Sequence, residues 1–224
     1  MNFPSRMSKR VKSEENSDST QGVITSDEII SFILKNKERG GPDIDEWLFA
    51  IQSYNEEKKS SDMKDNVTSK LRDNFKGTPI ELLLPSVKIS SFSLDSGDDW
   101  RYDRSRMSIT FTITWKQGFT FEFQVSMSYS RDDGIECTIS CECNSKSKAL
   151  TDCSGDFDFG FFASPIVEID DFQNWVNEEF KQKMAVEEAK KLCWLATAII
   201  GEANYSSDFV FKTEEVNWKE AYNK

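Results

Sequence analysis

The sequence predicts an α+β fold: an antiparallel β-meander of about four to six strands, N-terminal helices, and one long C-terminal helix on the sheet's apolar face. Three observations predict it. Residues 107–143 alternate apolar and polar side chains in three consecutive runs of period two. Short Gly-containing segments join those runs, as in hairpins. Apolar residues at helical spacing flank the meander on both sides.

In chain order, residues 1–24 read as a polar, Ser-rich, disordered tail, because they hold too little apolar surface to offset their ordering entropy. Residues 25–224 read as a single domain with a helical part (25–77), a sheet (78–164) and a long helix with a C-terminal cap (165–224). Ser26 or Asp27 caps a first helix carrying Ile29, Ile30, Ile33 and Leu34, which Gly40-Gly41-Pro42 stops. Asp43 caps a second, with Ile44, Trp47, Leu48, Ile51 and Tyr54 on one face. A third carries Met63, Val67, Leu71 and Phe75 and ends at Gly77.

Pro79 to Leu94 reads as one or two strands broken at Pro85. Met107 to Trp115, Phe119 to Tyr129 and Ile135 to Cys143 follow, with turns at Lys116-Gln117-Gly118 and Arg131-Asp132-Asp133-Gly134. Phe157, Phe159 and Phe161 mark a further strand. One face is then heavily apolar and the other a lawn of Ser and Thr. The amphipathic stretch from about Asp171 to Glu202 covers the apolar face as one helix. A short strand, Asp208 to Lys212, and a helical turn with Trp218 and Tyr222 finish the chain.

Composition narrows the chemistry. The chain has no histidine, which excludes Ser-His and Cys-His nucleophiles, a histidine base and histidine-ligated metals. A net charge of −11 disfavours direct nucleic-acid binding. The longest apolar run, Leu192 to Ile200, is nine residues against the ~20 that span a bilayer. No secretory h-region is visible, and five cysteines are not spaced as a disulfide framework. The expected setting is intracellular and cytoplasmic, with reduced thiols and no membrane contact; Lys9, Arg10 and Lys12 resemble a short nuclear-targeting pattern.

Cys137, Cys141 and Cys143 share a strand face with Ile135 and Ile139, and Cys153 follows. An i, i+4 separation on a strand is about 13 Å, so Cys137 and Cys141 cannot share one ion. Cys141 and Cys143 with Cys153 stand as the alternative metal set; the leading expectation is small core residues, with no metal and no cofactor bound. Asp156 and Asp158 fall on one strand face, and such a pair is able to hold Mg²⁺ for phosphoryl transfer without histidine. Against that enzyme reading, the stretch lacks the spacing of a calcium loop, and no Gly-rich phosphate cradle precedes a helix.

Between Ala149 and Phe180 there is no Lys or Arg, so Asp152, Asp156, Asp158, Glu168, Asp170, Asp171, Glu178 and Glu179 read as unneutralised. A one-sign surface steers a basic partner. Trp100 and Tyr102, in the charged loop from Asp95 to Arg106, are types enriched at interfaces.

The leading expectation is a non-enzymatic binding protein acting on a basic or nucleic-acid-binding protein. It would work as an inhibitor or accessory factor, of the kind a virus or phage encodes. Asp152, Asp156, Asp158, Glu168, Asp170, Asp171, Trp100 and Tyr102 would form its partner-binding residues. The alternatives are the Mg²⁺-dependent enzyme and a carrier of an apolar ligand held between sheet and long helix.

Overall fold

The computed structural model describes residues 44–97, 104–116, 118–130, 134–155, 164–206 and 216–224. The expected tail, the first helix, the strands at 157–161 and 208–212, and residues Trp100, Tyr102, Asp156 and Asp158 lie outside them. The chain divides into two compact units, residues 1–54 and 55–224. The first is described only over the opening turns of helix α1 (Ile44–Asn74).

Helix α1 runs unbroken for 31 residues where two helices were expected. The intervening stretch, Asn55 to Asp62, is polar but holds neither Gly nor Pro, and its Glu and Lys residues are good helix formers. In the second unit its buried stripe is Met63, Val67, Leu71 and Phe75, as their i+4 spacing predicts. Glu81 and the following residues to Ser86 form a 3₁₀ helix rather than a strand. Pro85 supplies no N–H to a ladder and fits a short 3₁₀ turn.

Five strands follow: β1 (Val87–Gly97), β2 (Arg104–Lys116), β3 (Phe119–Ser130), β4 (Gly134–Cys143) and β5 (Lys146–Gly155). They pair in sequence order, all antiparallel, as one meander. This is the α+β architecture that the alternation predicts. Gly118 takes φ +84° in the β2–β3 turn, a conformation that L side chains resist. Strand β5 was not expected. Its hairpin turns on Asn144 (φ 48°) and Ser145 (φ 64°), where Asn, tolerant of the left-handed region, stands in for the usual Gly-containing signal.

Register carries the alternation across the sheet. Phe111, Phe123 and Cys141 stand in one row, and Ile109, Val125 and Ile139 in the next. These residues are at most 3% exposed. Helices α2 (Ile169–Phe180) and α3 (Val186–Ser206) cover them, in place of the single long helix expected. The break comes at Lys181, which adopts the left-handed conformation (φ 53°, ψ 31°). Met184 fixes the connection: its N–H donates to Asn177 Oδ1 and its carbonyl accepts from Gln173 Nε2, both at 2.7 Å.

Aromatic contacts join the sheet to α2. Phe172 stacks on Phe123 (6.1 Å, 29°) and meets Phe121 edge-on (5.2 Å, 65°), while Phe111 stacks on Phe123 (5.1 Å). Trp175 and Phe180 extend the cluster (5.5 Å, 81°) toward Phe119. Helix α3 is buried on every side from Leu192 to Asn204. Thr197 Oγ1 accepts from Ile166 N–H and donates to the Cys193 carbonyl, so its buried hydroxyl is satisfied. The terminal helix α4 (Trp218–Asn223) packs Tyr222 against Trp194 (6.4 Å, 88°). It also donates Trp218 Nε1–H to the buried Glu202 carboxylate at 2.7 Å.

Phe172→Ala is expected to lower the unfolding free energy by about 3–5 kcal/mol, seen as a lower urea midpoint at unchanged m-value. Asn177→Ala, which strips Met184 N–H of its acceptor, should cost about 1–2 kcal/mol by the same measurement.

Candidate functional site

Among the described residues, the sheet has one face covered and one face bare. Across strands, the bare face reads in rows. Lys88, Thr112, Glu122, Glu142 and Ser147 form one row; Ser91, Thr110, Gln124, Ser140 and Ala149 the next. Ser93, Ser108, Ser126, Thr138 and Asp152 follow, then Asp95, Arg106, Ser128, Glu136 and Ser154. Hydroxyls pair locally, Ser93 with Ser108 (2.6 Å) and Thr114 with Thr120 (3.2 Å).

Charge divides this face. Lys88 and Arg106, its basic residues in these rows, belong to β1 and β2. Within these rows the β3–β5 half carries Glu122, Glu136, Glu142 and Asp152 and no Lys or Arg of its own. Glu122 and Glu142 are direct cross-strand partners. Like charges so placed cost stability. Gln124 Nε2 donates to Glu122 (3.1 Å) and Ser128 Oγ to Glu136 (3.2 Å), which orients both carboxylates.

The sequence-predicted residues separate in space. Asp152 is exposed on the bare face, in the Thr138 row of β5. Glu168 and Asp170 are exposed at the start of α2, where the helix dipole favours acids. Asp171 is not free: Lys148 Nζ lies 2.6 Å from its Oδ1. Glu179 likewise meets Lys146 at 3.1 Å, and that lysine also donates to the Glu179 carbonyl at 2.7 Å. The acids of this stretch are therefore not all unneutralised. A base-free run in sequence acquires its bases from the neighbouring strand once β5 lies beside α2. These pairs are part-exposed and worth at most about 1 kcal/mol each. They line an open groove of about 690 Å³ with Asn174, Trp175 and Glu178. Asp152, Glu168, Asp170 and Glu178 make no ion pair among the described residues.

Sequence reasoning placed Glu122, Glu136 and Glu142 on the polar side of their strands but not together. The alternation assigns a face; only register sets Glu122 against Glu142.

The five cysteines are free thiols. Cys137, Cys141 and Cys143 point into the core at no more than 1% exposure, as their period predicts. Burial pushes the Cys137 thiol up to about 12, with the adjacent Cys153 and Asp152 adding to it. Burial also raises Cys141, Cys193, Cys143 and the half-buried Cys153. Cys153 stands opposite Cys137 and donates to its carbonyl at 3.8 Å. Raised thiols are poor nucleophiles and poor ligands. Among the described residues, no group of three or more Cys, Asp or Glu is placed to hold a metal ion. No helix among them is long and apolar enough to cross a membrane.

Comparison with protein-family models, curated proteins and solved structures finds no match. The functional reading therefore rests on the chemistry of this surface.

A thiol reagent at pH 8 is expected to modify Cys153 first, and all five cysteines only in denaturant. The folded state holds the Cys137 proton more tightly than the unfolded chain. Its contribution to stability is complete below the ordinary value of 9.0 and is lost as pH rises toward about 12. Unfolding free energy should thus fall across that interval, less steeply in Cys137→Val, as denaturant melts at stepped pH will show.

Proposed function

We propose that this chain is a non-catalytic binding protein that engages a basic surface of another macromolecule, as an inhibitor or accessory factor would. The observation that supports it best is the β3–β5 half of the bare sheet face. Glu122, Glu136, Glu142 and Asp152 stand there with no Lys or Arg directly opposite on an adjacent strand. Two of them, Glu122 and Glu142, are held opposite each other against their own repulsion.

Like charges on adjacent strands lower the stability of the free protein, and a Lys- or Arg-rich partner relieves that cost on binding. The surrounding Ser, Thr and Gln side chains supply donors and acceptors to a partner's backbone and side chains. Exposed Asp152, Glu168 and Asp170, together with the net charge of −11, extend the negative field that steers a cationic partner. The absence of histidine and the raised thiols support a role without nucleophilic chemistry.

A fluorescent lysine-rich peptide provides the test. Glu122→Gln/Glu142→Gln/Asp152→Asn is expected to weaken its binding about tenfold or more and to flatten its salt dependence. Asp62→Asn/Asp65→Asn/Asp73→Asn, an equal loss of exposed acids on α1, should change it less than about threefold. Equal loss in both variants would reduce the binding to net charge and remove the sheet face from the interface.

A further inference from the structure

We infer that strand β1 is a self-complementary edge through which two copies of this chain pair, joining their sheets into one antiparallel sheet. The two edges of the meander differ. At the β5 edge, Thr151 Oγ1 donates to the Ile166 carbonyl, and Lys146 and Lys148 are tied to α2. At the β1 edge, no described strand lies beyond β1. Its apolar residues are incompletely covered. Leu94 is 41% exposed, and Ile89 and Phe92 are only half-buried, whereas their β2 partners Met107, Phe111 and Ile109 are at most 1% exposed. An edge strand of eleven residues with no proline presents a row of backbone donors and acceptors, of which the Ser90 carbonyl is taken by Lys64 Nζ.

The order of residues along β1 names the occupant. Ser90 is the bulge residue: the register steps from Ile89 to Ser91, and the Ser90 carbonyl accepts from Lys64 Nζ at 3.0 Å. With Ser90 outside the ladder, β1 reads as a palindrome about Phe92. A two-fold axis through Phe92 sets it against its own copy and Ser91 against the copy's Ser93. It then sets Leu94 against the copy's Ile89, and Asp95 against the copy's Lys88.

Every one of these pairs joins positions of the same sheet face, since Ile89, Phe92 and Leu94 fall in core rows and Lys88, Ser91, Ser93 and Asp95 in bare-face rows. Apolar meets apolar, hydroxyl meets hydroxyl, and the charged positions at the two ends are opposite in sign. Each cross-strand pair of these kinds is favourable. The contact is smaller than the roughly 800 Å² per partner of a standard interface, so the dimer is expected to be weak, on the order of micromolar. This pairing uses the sheet's edge and does not depend on the acidic face.

Sedimentation equilibrium over two decades of concentration tests it. The native chain is expected to pass from monomer to dimer. Lys88→Glu, which sets like charges opposite at both ends of the pair, should raise the dissociation constant about tenfold. Asp95→Lys should do the same, and Lys88→Glu/Asp95→Lys should return it to within about threefold of native. Circular dichroism confirms that each variant is folded. Should Asp95→Lys unfold beside Arg106 of its own sheet, Asp95→Asn replaces it, with an expected loss of about threefold. A chain that stays monomeric throughout overturns the inference and leaves the edge to a different strand. A dimer indifferent to Lys88→Glu, or a double variant as weak as the singles, overturns it equally.

Discussion

The seating of Phe172 among Phe111, Phe121 and Phe123 is the contact on which the rest of this structure depends. Period two puts the large side chains of successive strands on one face, and antiparallel register gathers them into a single apolar plane. That plane has to be covered, since each large side chain on it is worth roughly 1.5–3 kcal/mol when fully buried. Helix α2 covers the aromatic rows, and α3 enters the core so deeply that Leu192 to Asn204 has no exposed residue. With both helices committed to one side, the opposite face stays bare among the described residues.

The bare face is polar without being uniform. Two hydroxyl pairs, Ser93 with Ser108 and Thr114 with Thr120, meet in short cross-strand contacts, which cost little and suit water. Its β3–β5 half departs from that economy, with Glu122 held opposite Glu142. A fold selected for stability alone has no use for that pair. At the side of the sheet the lysines go elsewhere: Lys146 and Lys148 of β5 reach Glu179 and Asp171 of α2 and brace the helix against the sheet edge. The same strand thus fastens the cover with its bases and presents Asp152 with its other face.

Individual elements show what a reader of the sequence is able to see. The runs from Met107 to Cys143 are legible because alternation is a one-dimensional signal. Strand β5 is not, because Asn144-Ser145 makes a tight hairpin with no glycine, and Ala149 to Thr151 carries a bulge that interrupts the period. The stretch from Asp171 to Glu202 has helical spacing throughout. Its break at Lys181 has no Gly or Pro to announce it and depends on Met184 finding Asn177 and Gln173. The union of two expected helices into α1 is the converse, a polar stretch without any breaker.

By itself, the sequence determined the α+β class, the face each residue of β2, β3 and β4 would occupy, the burial of Cys137, Cys141 and Cys143 and the closure of histidine chemistry. These depend on residue type and local spacing, which are complete in one dimension. Tertiary structure alone decided which acids keep their charge exposed, which are met by Lys146 and Lys148, and that Glu122 faces Glu142. Coulombic interactions depend on distance in space, and register and helix placement set those distances between residues that the chain holds far apart.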